Sequence, residues 1–337
     1  MRYPRPLRPG DTIGVTAPSS GVDARLRPRL EHNISWLRER GFEVRVGECL
    51  NGDRVISAPK EQRADELTAM LHDPDVRAIV PPWGGELGID LLDQLDWAEL
   101  ATLEPTWTVG YSDSCAWMLP LTLLLGWGTI HGTNLMDTAY DVPAGLKHWT
   151  EIASGAGPVV QRGHGRFRGE GWDDWAADPT IDTMSLDHKG SWSLVGGGGL
   201  DVSGRLVGGC IEIVSALAAT RFGDVAAFGR EYADDGLIVF LEAAEDDSYT
   251  IGRHLHSLRL AGWFDDATAI VVGRTAAPGH DDLSQHEAVQ DALGMLDIPI
   301  VLDVECGHVQ PFLPLVTGSL ARLVIDGERH EIVQELV

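Results

Sequence analysis

The feature that most constrains this chain is an alternation in its first part. Short apolar runs of strand character, "TIGVTA" (residues 12–17), "EVRV", "VRAIVPP" (residues 76–82) and "TWTVG", are separated by stretches of helical spacing. Between the first two runs, Leu26, Leu30, Ile34 and Leu37 recur on one helical face until Gly41 stops the pattern. "PKEQRADELTAMLHD" reads as a second helix with Pro59 near its start, and "DLLDQLDW" as a short third one. Strands that alternate with helices in this way predict a parallel sheet covered on both faces, an α/β fold.

The pattern changes after about His148. Residues 150–200 are rich in Gly, Asp, Trp and Ser and carry little periodicity. Regular patterning resumes at "GRLVGGCIEIVSALAAT" and continues through a strand "GLIVFLE", a helix over 248–261, a strand "TAIVVGR" and a helix around 285–296. A strand "PIVLDV", the turn "ECGH" and closing strands near 313–316, 321–325 and 331–336 complete the chain. At 337 residues the chain is long for one core. The expected division is a first domain over 1–148, a crossing with an ordered loop over 149–200, and a second domain over 201–337.

Charge narrows the function. With 26 basic and 51 acidic side chains the formal charge is −25, which argues against a nucleic-acid polymer as partner. Cys49, Cys115, Cys210 and Cys306 are far apart and form no C-x-x-C pair. That spacing fits a reducing compartment without a zinc knuckle. The first residues lack the apolar run of a secretion signal. The most apolar stretch, residues 115–130, contains Pro120 and is too short to span a bilayer. A buried core helix, no membrane association and a cytoplasmic location are expected.

Within that frame "TVGYSDSCAW" stands out. A strand ends at Gly110, and Ser112 then opens the apolar helix. A serine there can cap the helix, accepting a bond from a first-turn amide. It can also sit on a strand–turn–helix elbow as an exposed nucleophile, with the N–H of Asp113 as an oxyanion donor. Upstream, "PPWGGELG" lies at the carboxyl end of the preceding strand, where open α/β sheets bind ligands. Gly84 and Gly85 would let backbone approach a reacting carbonyl closely.

A serine nucleophile needs a base, usually histidine oriented by a carboxylate. Of twelve histidines, His254 and His256 point in different directions from one helix, so they form no zinc pair. His280 and His286 lie in an acidic loop, and His131 can shape a pocket near the serine. His308 follows a strand, behind Gly307 and ahead of a proline-punctuated turn, as a site residue should. Glu242 ends the very apolar strand "GLIVFLE" and is the carboxylate candidate.

These segments together resemble the serine LD-carboxypeptidases, most closely the microcin C immunity branch of that family. "LRPGDTIGVTAPSSG", "VRAIVPPWGGELGIDLLDQLD", "TVGYSDS", "GRLVGGCIEIVSALAAT", "GLIVFLEAAEDDSYTIGRHLHSLRLAGWF" and "CGHVQPFLPLVTGSLARL" are similar to family segments in the same order. The resemblance implies Ser112 as nucleophile, His308 as base and then acid, and Glu242 as the residue that orients His308. It implies oxyanion donors from Gly84, Gly85 and the Asp113 amide, no metal and no cofactor. It further implies an N-terminal parallel-sheet domain, a smaller, β-rich C-terminal domain, a site at their interface, and a homodimer. The implied substrate is a small peptide, a muropeptide or a peptidyl- or aminoacyl-nucleotide. In the immunity branch the crossing helps to form the substrate pocket, which makes Trp172, Trp175 and Trp192, with Trp83 before the Gly-Gly pair, substrate-binding candidates.

The chain departs from the family at several points. Ala243 follows Glu242 in place of Asp, Ser114-Cys115 replaces Ile-Thr after the Ser-Asp pair, and Cys210 replaces an Asn after Gly-Gly. An α/β-hydrolase-type esterase shares the order Ser, Glu, His, but has Gly two residues after its serine, where this chain has Ser114. A protein that sequesters a peptidyl-nucleotide without cleaving it is the alternative of another class.

Overall fold

The computed structural model describes residues 1–50 and 52–337. Two sheets organise them. The first holds the parallel strands Thr12–Val15, Glu43–Val46, Val76–Ile79, Trp107–Gly110 and Thr129–His131. A sixth strand, Leu315–Thr317, pairs antiparallel with Thr129–His131 at its edge. The alternation read in the sequence builds this sheet: helices Arg27–Glu39 and Lys60–His72 are the crossovers that parallel strands require. Leu30, Ile34 and Leu37 on the first of them are buried.

The second sheet is larger, with eight strands. Its centre is parallel: Leu200–Cys210, Leu237–Glu242, Ala267–Gly273 and Ile300–Val304. Around that centre run the antiparallel strands Leu320–Asp326, Arg329–Glu335, Val159–Arg162 and Ser193–Leu194. The aperiodic crossing thus supplies two strands to this sheet and a two-stranded ribbon, Arg166–Phe167 with His188–Lys189. The segment has little periodicity because its strands are two to four residues long and mostly half-exposed.

The two sheets are tied together twice. Only Gly318 and Ser319 separate the strand Leu315–Thr317 of the first sheet from Leu320–Asp326 of the second. The second tie is the apolar helix Cys115–Leu125, buried along almost its whole length. Its Trp117, Met118 and Leu121 share one core with Ile211, Val214 and Leu217 of the helix Ile211–Leu217. This burial explains the apolar stretch of the sequence, and among the described residues no helix is long and apolar enough to cross a membrane.

Candidate active site

The strands Val76–Ile79 and Trp107–Gly110 are parallel neighbours, so their carboxyl-terminal turns emerge side by side. On the second turn Tyr111 is extended and Ser112 has φ +63°. That conformation is costly for a residue with a Cβ, roughly 1–3 kcal/mol. No side-chain capping bond is made at either boundary of the turn Ser112–Ser114 and the helix that follows. The serine therefore does not act as a helix cap. Asp113 N–H lies in the first turn, where no carbonyl of the helix is available to it.

The Gly-Gly segment packs directly on this turn. A Cβ on Gly84 would come within 2.7 Å of both Asp113 N and Ser112 Cβ, so only glycine fits. Gly85 has φ +111° and passes close to Ser20. The Asp113 carboxylate fastens the arrangement from behind, accepting bonds from the Gly88 amide at 2.6 Å and from the Ser19 hydroxyl. Burial pushes the Asp113 carboxyl up, against the pull of those two bonds.

The second sheet brings the histidine. Glu242 is fully buried at the end of its strand, beside the strand Ala267–Gly273. His308 belongs to the loop after Ile300–Val304, one strand further on. The loop must therefore step over the end of the intervening strand, and two glycines make room for it. A Cβ on Gly273 would lie 2.7 Å from Glu242 Cβ, and one on Gly307, at φ +105°, 2.6 Å from the same atom. His308 Nδ1 then meets Glu242 Oε2 at 2.6 Å. Burial works against both charges, but the mutual attraction outweighs it. Glu242 is held below the ordinary carboxylate range and His308 above the ordinary imidazole range.

Ser112, Gly85 and His308 line one cavity of about 540 Å³, together with Trp172 and Cys210. Ser112 and His308 share its wall without a hydrogen bond between their side chains, a leg that commonly closes only when substrate is bound. With Nδ1–H donating to Glu242, the Nε2 of His308 carries the lone pair a base needs. A serine in this position can attack a carbonyl, with the Asp113 and Gly-Gly amides beside the developing oxyanion.

The four tryptophan candidates separate. Trp172 lines the cavity and is 51% exposed. Trp83 and Trp175 stack on each other at 6.3 Å, their indole N–H groups donating to Gly21 O and Tyr140 Oη. Trp192 is buried in the second sheet's core, donates to Glu305 and stacks on His330. It does not line the cavity, because its apolar face serves the core.

Tyr111, Asp137 and Glu212 escaped the sequence reading, and His131 was expected only to shape a pocket. Tyr111 sets its ring edge-on to His308 at 4.8 Å. His131 Nε2 lies 3.8 Å from Glu242 Oε1, and burial lowers its pKa to about 4. Asp137 is fully buried, and its carboxyl is pushed up to about 7 by that burial. The Glu212 carboxylate accepts the amides of Ala244, Glu245 and Asp246 at 2.8, 3.1 and 3.3 Å, which shapes the loop after Glu242. Two of the departures from the family touch: Cys210 N–H donates to Cys115 Sγ at 3.4 Å.

One grouping among the described residues could hold a metal ion. Cys210, Glu242 and His308 each place a ligand atom within 4.8 Å of the others. The fit is poor. Glu242 Oε2 is engaged by His308, the Cys210 thiol donates to Glu212 at 3.2 Å, and burial keeps that thiol protonated by raising its pKa well above the usual value.

Models of the LD-carboxypeptidase N-terminal and C-terminal domains match residues 13–132 and 203–323. The chain belongs to the LD-carboxypeptidase family. It is thereby a serine peptidase of mixed α/β, two-domain fold. It is 25% identical to the microcin C7 self-immunity protein MccF of Escherichia coli, over 98% of this chain and 95% of that one. It is 24% identical to a protein of Bacillus subtilis named probable murein peptide carboxypeptidase, over 95% and 91%. A solved structure of MccF in complex with aspartyl sulfamoyl adenosine superposes with a TM-score of 0.83 at 23% identity, covering 99% of this chain and 98% of the other. Muramoyltetrapeptide carboxypeptidase from Oxalobacter formigenes gives 0.69 at 20% identity, over 96% and 98%.

Proposed function

We propose that this LD-carboxypeptidase-family hydrolase cleaves an amide through an acyl-enzyme formed on Ser112, with His308 as base and Glu242 as its orienting carboxylate. The observation that carries the reading is the 2.6 Å bond from His308 to a fully buried Glu242, at a cavity wall shared with a serine held at φ +63°. His308 Nε2 takes the hydroxyl proton as Ser112 Oγ attacks the carbonyl. The Asp113 amide and the Gly84–Gly85 backbone hold the oxyanion. The C–N bond then breaks as the imidazolium returns the proton to the leaving amine. A water molecule, deprotonated by His308, releases the acyl group and regenerates the serine.

The substrate is a peptide, a muropeptide or a peptidyl- or aminoacyl-nucleotide, with Trp172 as an aromatic surface at the cavity. Trp83 and Trp175, which stack on each other at 6.3 Å, are the further aromatic candidates, and on this reading the catalytic elements divide between domains over 1–148 and 201–337. A homodimer in the cytoplasm is the expected setting. Mass spectrometry of products from a murein tetrapeptide and from an aminoacyl sulfamoyl adenylate tests the reading. Cleavage by the wild type and none by Ser112→Ala is the expected result. Equal cleavage by both proteins refutes the mechanism, and binding of either compound without turnover supports sequestration instead.

A further inference from the structure

We infer that His131 is a positioning residue for the reaction: its Nε2–H faces the second oxygen of the Glu242 carboxylate and steadies that anion while His308 is neutral and able to act as base. This rests on the hydrolase reading above, in which Glu242 orients His308. In the form that takes the serine proton, Glu242 is ionised and His308 is uncharged, so a lone negative charge sits on a fully buried side chain. A buried carboxylate is costly unless donors serve its oxygens. Oε2 has the Nδ1–H of His308 at 2.6 Å. Two further groups face the carboxylate. One is His131 Nε2, 3.8 Å from Oε1, and the other is the thiol of Cys210, whose proton goes to Glu212 at 3.2 Å.

The tautomer of His131 suits this task. Cys115 Sγ lies 3.6 Å from His131 Nδ1, and burial pushes the Cys115 thiol up, so it stays protonated. Its sulfur accepts the Cys210 amide at 3.4 Å, and its S–H is left to donate to Nδ1. The proton of the neutral imidazole is then on Nε2, the nitrogen turned to Glu242. Burial lowers the His131 pKa to about 4 against the pull of Glu242, so the contact is an N–H donor beside a carboxylate and not an ion pair. Nε2 is buried and makes no hydrogen bond elsewhere, and bonds that are long in a free enzyme commonly tighten when substrate binds. The ring packs on Phe240 at 5.1 Å and on Tyr111 at 6.4 Å, opposite Gly110 and Leu315. The charged groups that act on it are Glu242 and His308, while Cys115 and Tyr111 beside it are kept protonated by burial. His131 belongs to the first sheet and Glu242 to the second, so the contact joins the serine's sheet to the carboxylate behind the histidine.

The test compares His131→Leu, which fills the place without a donor, with His131→Gln, whose amide nitrogen reaches about as far as Nε2, and with Cys210→Ala. Two quantities are read: the acid limb of kcat/KM, and the His308 titration followed by NMR in a Ser112→Ala background. Removing the donor destabilises the lone carboxylate more than the Glu242–His308 ion pair, so protonation of His308 becomes easier. In His131→Leu both quantities should move up by about one pH unit, the opposite direction to Glu242→Gln, with kcat/KM below the limb lower by about tenfold. Glu212 and Asp137, which also act on His308, are unaltered in these variants. His131→Gln should bring both quantities back toward the wild type, whereas a side chain that only filled the core would change stability and leave the limb in place. An unmoved limb in His131→Leu, or a limb that rises in Cys210→Ala alone, overturns the inference. Should His131→Leu fail to fold, His131→Asn, one methylene shorter than His131→Gln, takes its place, and equal limbs in those two variants overturn it. Turnover by Ser112→Ala equal to the wild type, with the His308 titration shifted as expected, sinks the hydrolase reading and leaves His131 as the partner of Glu242.

Discussion

The serine turn and the histidine loop reach the same cavity by different physical means. The serine turn is held by backbone. Strand pairing places it, Gly84 packs on it at a distance only a hydrogen side chain allows, and Ser112 sits at φ +63°. The histidine loop is held by charge. A buried carboxylate and an imidazole meet at 2.6 Å where burial alone would disfavour both ions. The first arrangement should be sensitive to side-chain size and indifferent to pH. The second should depend on pH, and it too leaves no room for a Cβ at Gly307.

The largest expected effect separates strain from chemistry on the serine turn. Ser112→Ala should lower kcat by about 10⁴-fold or more while the fold remains. Ser112→Gly should be as inactive yet more stable by about 1 kcal/mol, because glycine adopts positive φ without penalty. Thermal melts of both variants beside their activity check this. A glycine variant no more stable than the alanine variant would mean that the turn stores no strain.

Glu242→Gln comes next and addresses the charged arrangement. Loss of the carboxylate should cost about 10²–10⁴-fold in kcat, since His308 loses its orienting partner and its imidazolium loses its counter-charge. The pH profile carries the sharper sign. Under the proposed mechanism the reaction needs neutral His308, whose pKa lies above its ordinary value in the wild type, so activity should fall as pH drops through that raised value. In Glu242→Gln the attraction is gone and burial remains, so the acid limb should move to lower pH. An unmoved limb in the kcat/KM profile would show that another group sets it. Under the same reading a chelator leaves wild-type activity unchanged at every pH.

A pair of glycine variants compares the two turns directly. Gly84→Ala places a methyl 2.7 Å from Asp113 N and should cost about 100-fold in kcat by displacing an oxyanion donor. Gly307→Ala, at φ +105°, forces the histidine loop away from Glu242 and should cost about 1–3 kcal/mol of stability as well as activity. Kinetics and denaturant melts on both distinguish the outcomes. Equal losses of stability would erase the distinction between the turns.

The parts of the site that follow strand ends were legible in the sequence. Glu242 ends an apolar run that had to be a strand, Ser112 and His308 lie in the turns that follow such runs, and glycines flag the tight places around them. The central strands of both sheets were legible for the same reason. What stayed hidden depends on contacts between distant positions. Cys115 and Cys210 meet across 95 residues, and Glu212 reaches the amides of a loop more than 30 residues away. No periodicity encodes either pairing. The Asp113 amide was foreseen beside the serine, but its carboxylate also has a task, clamping Ser19 and Gly88, which local pattern cannot reveal. Trp192 illustrates the opposite error, since a tryptophan in a glycine-rich stretch reads as a surface ring until a core closes over it.

The smallest expected effect extends the comparison to two histidines. His308, beside a buried carboxylate, has its pKa raised, whereas burial lowers that of His148 to about 4. His148 is neutral by construction. Its Nδ1 accepts the Thr150 amide at 3.1 Å as the cap of helix Trp149–Ser154, which leaves Nε2–H to donate to Thr138 O at 2.9 Å. Protonation would break the cap, so the folded state resists it while an unfolded chain takes the proton near its ordinary value of 6.5. The unfolded state therefore binds more protons between about 6.5 and about 4, and stability must fall as pH falls through that window. The contribution is at most about 3 kcal/mol by pH 4. His148→Gln should be less stable at neutral pH by about 1 kcal/mol for the altered cap, and should lose less stability than the wild type on acidification. Melting temperatures of the two proteins between pH 7 and pH 5 decide it: parallel curves would mean that His148 takes up its proton in the folded state as readily as in the unfolded chain, and that burial does not set its charge.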